Sequence, residues 1–247
     1  MRAFMKLSSV QTKLYLREPM SVFFTLAFGP ILLVIMGLIF GSMPRPELNG
    51  LSQMDLSVPG YVGMIIGITG LTAVPIGAAT RRDAGVLRRF SATPLRPLTY
   101  FLADILAPFL VTLLGVLILI LMGLFIYKVQ FRGNWPSLFG AVVLSALSFF
   151  ALGYAIAGLV RNARTAIILG NVIVIPMTTF SGAMVPLEVM PASVLRIANF
   201  MPLKHVVTLM RGLWTGEAWG AHLLEAGILA GIFIVGVVIV ALTFKWE

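Results

Sequence analysis

The 247-residue chain contains no cysteine. Disulfides, thiolate nucleophiles and cysteine metal sites are excluded, and cysteine usage is silent on redox compartment. Charge is scarce: 11% of residues are Asp, Glu, Lys or Arg, against about 25% in an ordinary soluble domain. Acidic groups are the scarcer kind, 9 against 18 Lys plus Arg, for a net charge of +9. No Gly-Lys pair occurs, so no G-x-x-x-x-G-K-[ST] loop is present to cradle ATP phosphates. H-E-x-x-H, Gly-x-Ser-x-Gly and clustered His/carboxylate spacings are missing too. Neither a metal site nor a hydrolase nucleophile is expected.

What fills the chain is apolar. Hydrophobic residues make up 59%, and the mean hydropathy is +1.01. A soluble domain of this size cannot hide that much apolar surface, and disorder is excluded by the same number. A membrane-spanning helix needs about 20 mainly apolar residues. Six stretches qualify, at about 20–40, 58–79, 101–127, 137–160, 165–185 and 223–244. None contains Lys or Arg; only Asp104 and Glu225 intrude, each near an end. The first is too long for a cleaved signal peptide, and no small-x-small site follows it.

Six spans put both termini on one side. With the termini inside, the cytoplasmic segments hold Arg2, Lys6, Lys13, Arg17, Arg81, Arg82, Arg88, Arg89, Arg96, Arg161, Arg164 and Lys245, twelve of the 18 cations. The outer segments hold six: Arg45, Lys128, Arg132, Arg196, Lys204 and Arg211. The positive-inside rule therefore favours cytoplasmic termini. The basic pI of about 10.5 then reads as loops beside anionic lipid rather than as a nucleic-acid surface. The four tryptophans, Trp135, Trp214, Trp219 and Trp246, fall outside the spans or at their ends, as an interfacial belt would have it. Residues 187–222 are too apolar for a solvated loop. A seventh span there would bury Arg196, Lys204 and Arg211 and break at Pro202. Two short helices either side of Pro202, dipping into the outer leaflet or lying along it, fit better.

Residues 3–18 form an amphipathic pattern. At 100° per residue Arg2, Lys6, Lys13 and Arg17 fall within about 60° of each other, beside an apolar arc of Phe4, Leu7, Val10, Leu14 and Tyr15. This predicts an interfacial helix, serving as a membrane anchor or as a contact surface for a cytoplasmic partner. A second amphipathic helix is expected in the loop 81–97. Val86, Leu87 and Phe90 share one face with Arg82 and Arg89 beside it, and Thr93-Pro94 stops the helix, because the residue before proline is pushed out of the α region. It is either a topology signal or a docking helix for a soluble partner.

Within the spans, Gly63-x-x-x-Gly67 and Gly227-x-x-x-Gly231 have the spacing of close helix contacts, within or between subunits. Asn171, Thr178 and Gly182 recur on one face of the fifth span, with Pro176 between them to kink it. Asn171 and Thr178, with Phe149, Phe150 and Phe180, are candidates for a transport pathway; packing is the alternative for each. No ionisable group lies at mid-span, which weighs against an ion-coupled carrier.

The order of these elements resembles the type-2 ABC exporter permeases, in particular the short daunorubicin-resistance-type membrane subunits. Leu16-Arg17-Glu18-Pro19 and Phe40-Gly41 look like the borders of that family's first span, and Val58-Pro59-Gly60-Tyr61 like its second-span entry. Arg82-Asp83-Ala84-Gly85-Val86-Leu87-Arg88-Arg89-Phe90 with Thr93-Pro94-Leu95 resembles its loop signature, with Arg81 standing where glutamate is usual. Ser181-Gly182-Ala183, Pro186, Pro191, Pro202-Leu203 and Arg211-Gly212 resemble its fifth span and outer re-entrant region.

The resemblance implies one all-α transmembrane domain over 1–247: an interfacial helix at 1–19, six spans, a coupling loop at 81–97 and an outer re-entrant segment at 187–222. It implies a subunit of a prokaryotic inner membrane that exports an amphipathic, drug-like or lipid-like substrate. Lipid-linked polysaccharide or peptide export is the alternative within the family. ATP and Mg would sit on a separate ATPase subunit, with no cofactor on this chain. That ATPase would dock on Arg82, Asp83, Gly85, Val86, Leu87, Arg88, Arg89, Phe90, Thr93 and Pro94. The family's subunits pair, so a homodimer is expected, with a heterodimer the alternative.

Overall fold

In the computed structural model the described residues are 2–41, 52–86, 97–160, 162–184, 187 and 190–243, and they are built from helices. Among the described residues, six helices are long and apolar enough to cross a membrane. Span one is Pro19–Phe40, span two Gln53–Asp83, span three Thr99–Phe125, span four Trp135–Leu159, span five Ala163–Phe180 and span six Trp219–Thr243. Shorter helices run Arg2–Leu16 before span one, and Ala192–Ala198 and Pro202–Thr215 between spans five and six. The protein is an integral membrane protein by this build. Its N-terminal face carries the helix Arg2–Leu16 and the end of span two.

Span two starts five residues before the apolar run at 58–79. The reason is a capping box. The Ser52 hydroxyl accepts from the Asp55 amide while the Asp55 carboxylate accepts from the Ser52 amide at 2.6 Å. Two orphan donors are satisfied reciprocally. The other Asp55 oxygen accepts from the Gln130 amide at 2.6 Å and so ties the loop after span three to this cap. Asp55 is 2% exposed. The serine and aspartate three residues apart, just before an apolar run, were the signal for this start.

Span two is the centre of the fold. In its most apolar stretch 78% of residues are buried, against 22% in span one, 28% in span five and 11% in span six. Spans one, five and six therefore turn apolar faces outward, toward lipid or another chain. Glycines permit the close packing. Gly63 and Gly67 lie against Val206, Val207 and Leu203 of the helix Pro202–Thr215, so this small-residue pair packs within one chain. Gly70 lies against the Phe149 backbone of span four, and Gly170 of span five against the Leu71 carbonyl. Gly227 and Gly231 have nothing within 4 Å of a built Cβ, while Gly236 lies against Ala151. The contact between spans four and six thus runs through Gly236.

Two π-helical turns interrupt the spans, Phe23–Ala27 in span one and Thr69–Ala73 in span two. Such turns widen the helix locally. They face each other: the Thr25 and Thr69 hydroxyls are 3.1 Å apart, and the Tyr15 hydroxyl lies 3.3 Å from Thr25. Tyr15 is thereby turned inward, although the helical wheel sets it on the apolar, lipid-facing arc. Burial pushes its phenol up to about 12, against the opposing pull of the Thr25 hydrogen bond, and nearby Glu18 pushes the same way as burial.

A second correction concerns the aromatic belt. Trp135 is half exposed, but Trp214 is 1% exposed. It packs edge-on to Phe131, which stacks on Trp135 at 4.0 Å. Trp214 belongs to the core because the helix Pro202–Thr215 is buried along span two, a tertiary contact that hydropathy does not encode. Trp246 lies outside the described residues.

Candidate functional site: the N-terminal-face end of span two

The last turn of span two carries Arg81, Arg82 and Asp83 in succession, and each side chain is tied to a different part of the bundle. Arg81 Nη2 donates to Asp104 Oδ2 of span three at 2.7 Å, and the Tyr154 hydroxyl of span four donates to the same oxygen at 2.6 Å. Gln11 of the helix Arg2–Leu16 lines a small cavity together with Arg81, Asp104 and Tyr154. The Asp104 side chain is 3% exposed and that of Arg81 19%. A buried charge is tolerated only when paired and hydrogen-bonded, and both conditions are met here.

Arg82 reaches span four from the side. Its Nη1 donates to the Ala157 carbonyl at 2.9 Å and its Nη2 to the Val160 carbonyl at 2.6 Å. The last carbonyls of a helix have no intrahelical donors and carry partial negative charge, so the guanidinium caps span four. Asp83 does the converse. Its carboxylate accepts from the Ala163 amide at 2.8 Å, at the positive N-terminal end of span five. Asn162 completes that end by accepting from the Thr165 amide at 2.9 Å.

Span two then stops. The Ala84 amide donates to the Thr80 carbonyl and the Gly85 amide to the Arg82 carbonyl. Gly85 has φ +67, a left-handed conformation that only glycine adopts without a Cβ penalty. Val86, partly buried, is the last described residue before 97. Leu87, Arg88, Arg89, Phe90, Thr93 and Pro94 lie outside the described residues.

The other candidates are dispersed. Lys6, Lys13 and Arg17 are exposed, and the Arg2 side chain lies outside the described set. Buried Ser8, Gln11 and Tyr15 form the inward stripe of that helix, which packs along span three. Phe149 and Phe150 are fully buried in the core. Thr178 is buried and donates to the carbonyls of Val174 and Ile175, both at 2.9 Å. Asn171 is exposed on span five and Phe180 is partly exposed. The structure places Phe149 and Phe150, neighbours in sequence, in the core but leaves Asn171 on an outer face.

The sequence reading missed the partnership of Arg81 with Asp104. Its signal was available: opposite charges near the facing ends of consecutive antiparallel spans, on either side of one loop. This charged, multiply tied end of a central helix leads directly into a basic stretch of sequence, and the sequence as a whole matches a known family. The match to the ABC-2 type transporter model covers residues 2–214. The chain belongs to that family.

Similar curated proteins include two transport permeases and a nodulation protein. The chain is 23% identical over 161 residues to the probable multidrug ABC transporter permease YbhR of Escherichia coli (strain K12), covering 65% of this chain and 44% of that protein. It is 28% identical over 157 residues to the inner membrane transport permease YhhJ of the same strain, covering 62% and 42%. Over 105 residues it is 30% identical to nodulation protein J of Rhizobium leguminosarum bv. viciae, 41% of this chain and 40% of that one. The ABC-2 chain thus spans less than half the length of these curated relatives.

Proposed function

We propose that this chain is the membrane-spanning permease subunit of an ATP-driven ABC exporter, powered by a separate ATPase subunit. The observation that carries the reading is the build at the end of span two. Arg81, Arg82 and Asp83 tie that end to spans three, four and five immediately before the loop 84–96. A load applied to that loop would reach most of the bundle through short, charge-assisted bonds. Membership of the ABC-2 family supports the ATPase partner.

In this reading the termini and the 81–97 loop are cytoplasmic. Lys6, Lys13 and Arg17, exposed on the N-terminal helix and just after it, face anionic headgroups. The helices Ala192–Ala198 and Pro202–Thr215 re-enter from the outer side. In support, Leu203 meets Gly67, 14 residues along span two from Gln53, a depth of about 21 Å at 1.5 Å per residue. The outward apolar faces of spans one and five suit a second copy of the chain. The cargo is an amphipathic, drug-like or lipid-like molecule leaving the cytoplasm or inner leaflet, and ATP-driven approach of two ATPases shifts the membrane pair between states.

The test is co-purification with the candidate ATPase in detergent, followed by ATP hydrolysis in lipid. Val86→Ser, Leu87→Ser and Phe90→Ser together should release the ATPase while the chain still inserts. Retention of the ATPase by that triple variant would sink the docking assignment.

A further inference from the structure

The loop 84–96 leaves span two after Asp83 and rejoins the described chain at Pro97, where the helix Pro97–Phe125 begins. Two residues before its exit stands Arg81, and seven residues after its return stands Asp104. Their 2.7 Å contact is, among the described residues, the one ion pair that joins two spans. We infer that Arg81, Asp104 and Tyr154 form a clamp that fixes the spacing of the two stems of this loop and so makes them move as one body. The inference rests on the reading that the loop receives the ATPase. It assigns Arg81 and Asp104 the role of positioning residues for coupling.

Three features point this way. First, the pair is directional. Arg81 and Tyr154 converge on one carboxylate oxygen from two different spans at 2.7 and 2.6 Å, which sets angles as well as distances. Second, the pair is a poor device for stability alone. A buried ion pair gains little over well-packed apolar side chains of the same volume, whereas removing one partner leaves an uncompensated charge. Third, the surroundings are not packed shut. A cavity of about 60 Å³ lies beside the pair, lined by Tyr100, Asp104, Tyr154 and Arg82. Loose surroundings leave the stem spacing to the polar bonds themselves. Arg82 and Asp83 hold the span-two stem to spans four and five. The Arg81–Asp104 bond brings the span-three stem into the same unit.

The test uses the absence of native cysteine. Ala84→Cys and Thr99→Cys receive spin labels, and their separation is read in lipid nanodiscs, with the chain alone and with its ATPase. The unmodified pair and Arg81→Lys should give one narrow separation. Asp104→Asn should broaden it. The double variant Arg81→Met with Asp104→Leu should melt below the parent by no more than the loss of the one hydrogen bond that Tyr154 makes to Asp104, because the ion pair itself is replaced by apolar volume, yet broaden the separation in the same way. With the ATPase present, that double variant should retain binding and lose about tenfold in molecules moved per ATP, within the usual range of coupling between sites. A narrow separation in the double variant overturns the clamp, as does parental coupling. If the parent chain binds no ATPase while the separations respond as stated, the exporter reading fails and the clamp stands.

Discussion

Span six contains a matched pair of sites at which the same substitution should behave differently. Gly231 has nothing within 4 Å of a built Cβ, whereas at Gly236 that Cβ would lie 2.8 Å from Ala151 Cβ and 2.9 Å from its carbonyl carbon. Carbon atoms prefer about 3.5–4.0 Å. Gly236→Ala must therefore part spans four and six by about 0.7–1.2 Å, the difference between these distances. Overpacking of this kind costs about 1–3 kcal/mol. Both substitutions also gain helix propensity, about 1 kcal/mol each on soluble scales, and that term cancels in the comparison. The difference between the variants is then about 1–3 kcal/mol, or about 2–12 °C in melting temperature for a chain of this size. The assay is thermal unfolding of the two variants in one detergent at one scan rate, since membrane-protein unfolding is rarely reversible. The contact assignment is refuted if the two melt together, or if Gly231→Ala is the less stable.

Two further outcomes follow from polar groups at the span ends. Asp55→Ala removes the acceptor shared by the Ser52 and Gln130 amides; it should lower stability by at least about 1.5–3 kcal/mol, the worth of one hydrogen bond to a charged group, measured by denaturant or heat. Asn134 and Arg164 are exposed at opposite ends of spans four and five, so single cysteines there report sidedness: a membrane-impermeant maleimide should label Asn134→Cys in intact cells and Arg164→Cys only after lysis, and the opposite pattern would invert the topology.

Much of the architecture is local in origin and hence legible in the residues. A run of about 20 apolar residues without cations has one low-energy placement, across a bilayer as a helix. The six runs accordingly lie within or overlap the six helices from Pro19–Phe40 to Trp219–Thr243. End points were less legible where a side chain set them. Ser52 and Asp55 extended span two outward, and Gly85 ended it on the other face. Arg82 and Asp83 were chosen from the loop pattern, but the groups they cap, the Val160 carbonyl and the Ala163 amide, are 78 and 80 residues away in sequence. No window of residues reports such partners.

By itself the sequence determined that the chain is a six-span helical membrane protein, because transfer free energy is summed over neighbouring residues and needs no knowledge of what lies across the fold. Its motif order was enough to suggest the family. Which glycines serve as contacts was decided only by the tertiary structure: Gly63, Gly67 and Gly236 are covered while Gly227 and Gly231 are open, though all sit in similar apolar surroundings along the chain. The partner of Arg81 was likewise decided there, because a Coulomb pair depends on distance in space and on burial. Both are properties of how span two packs against spans three and four.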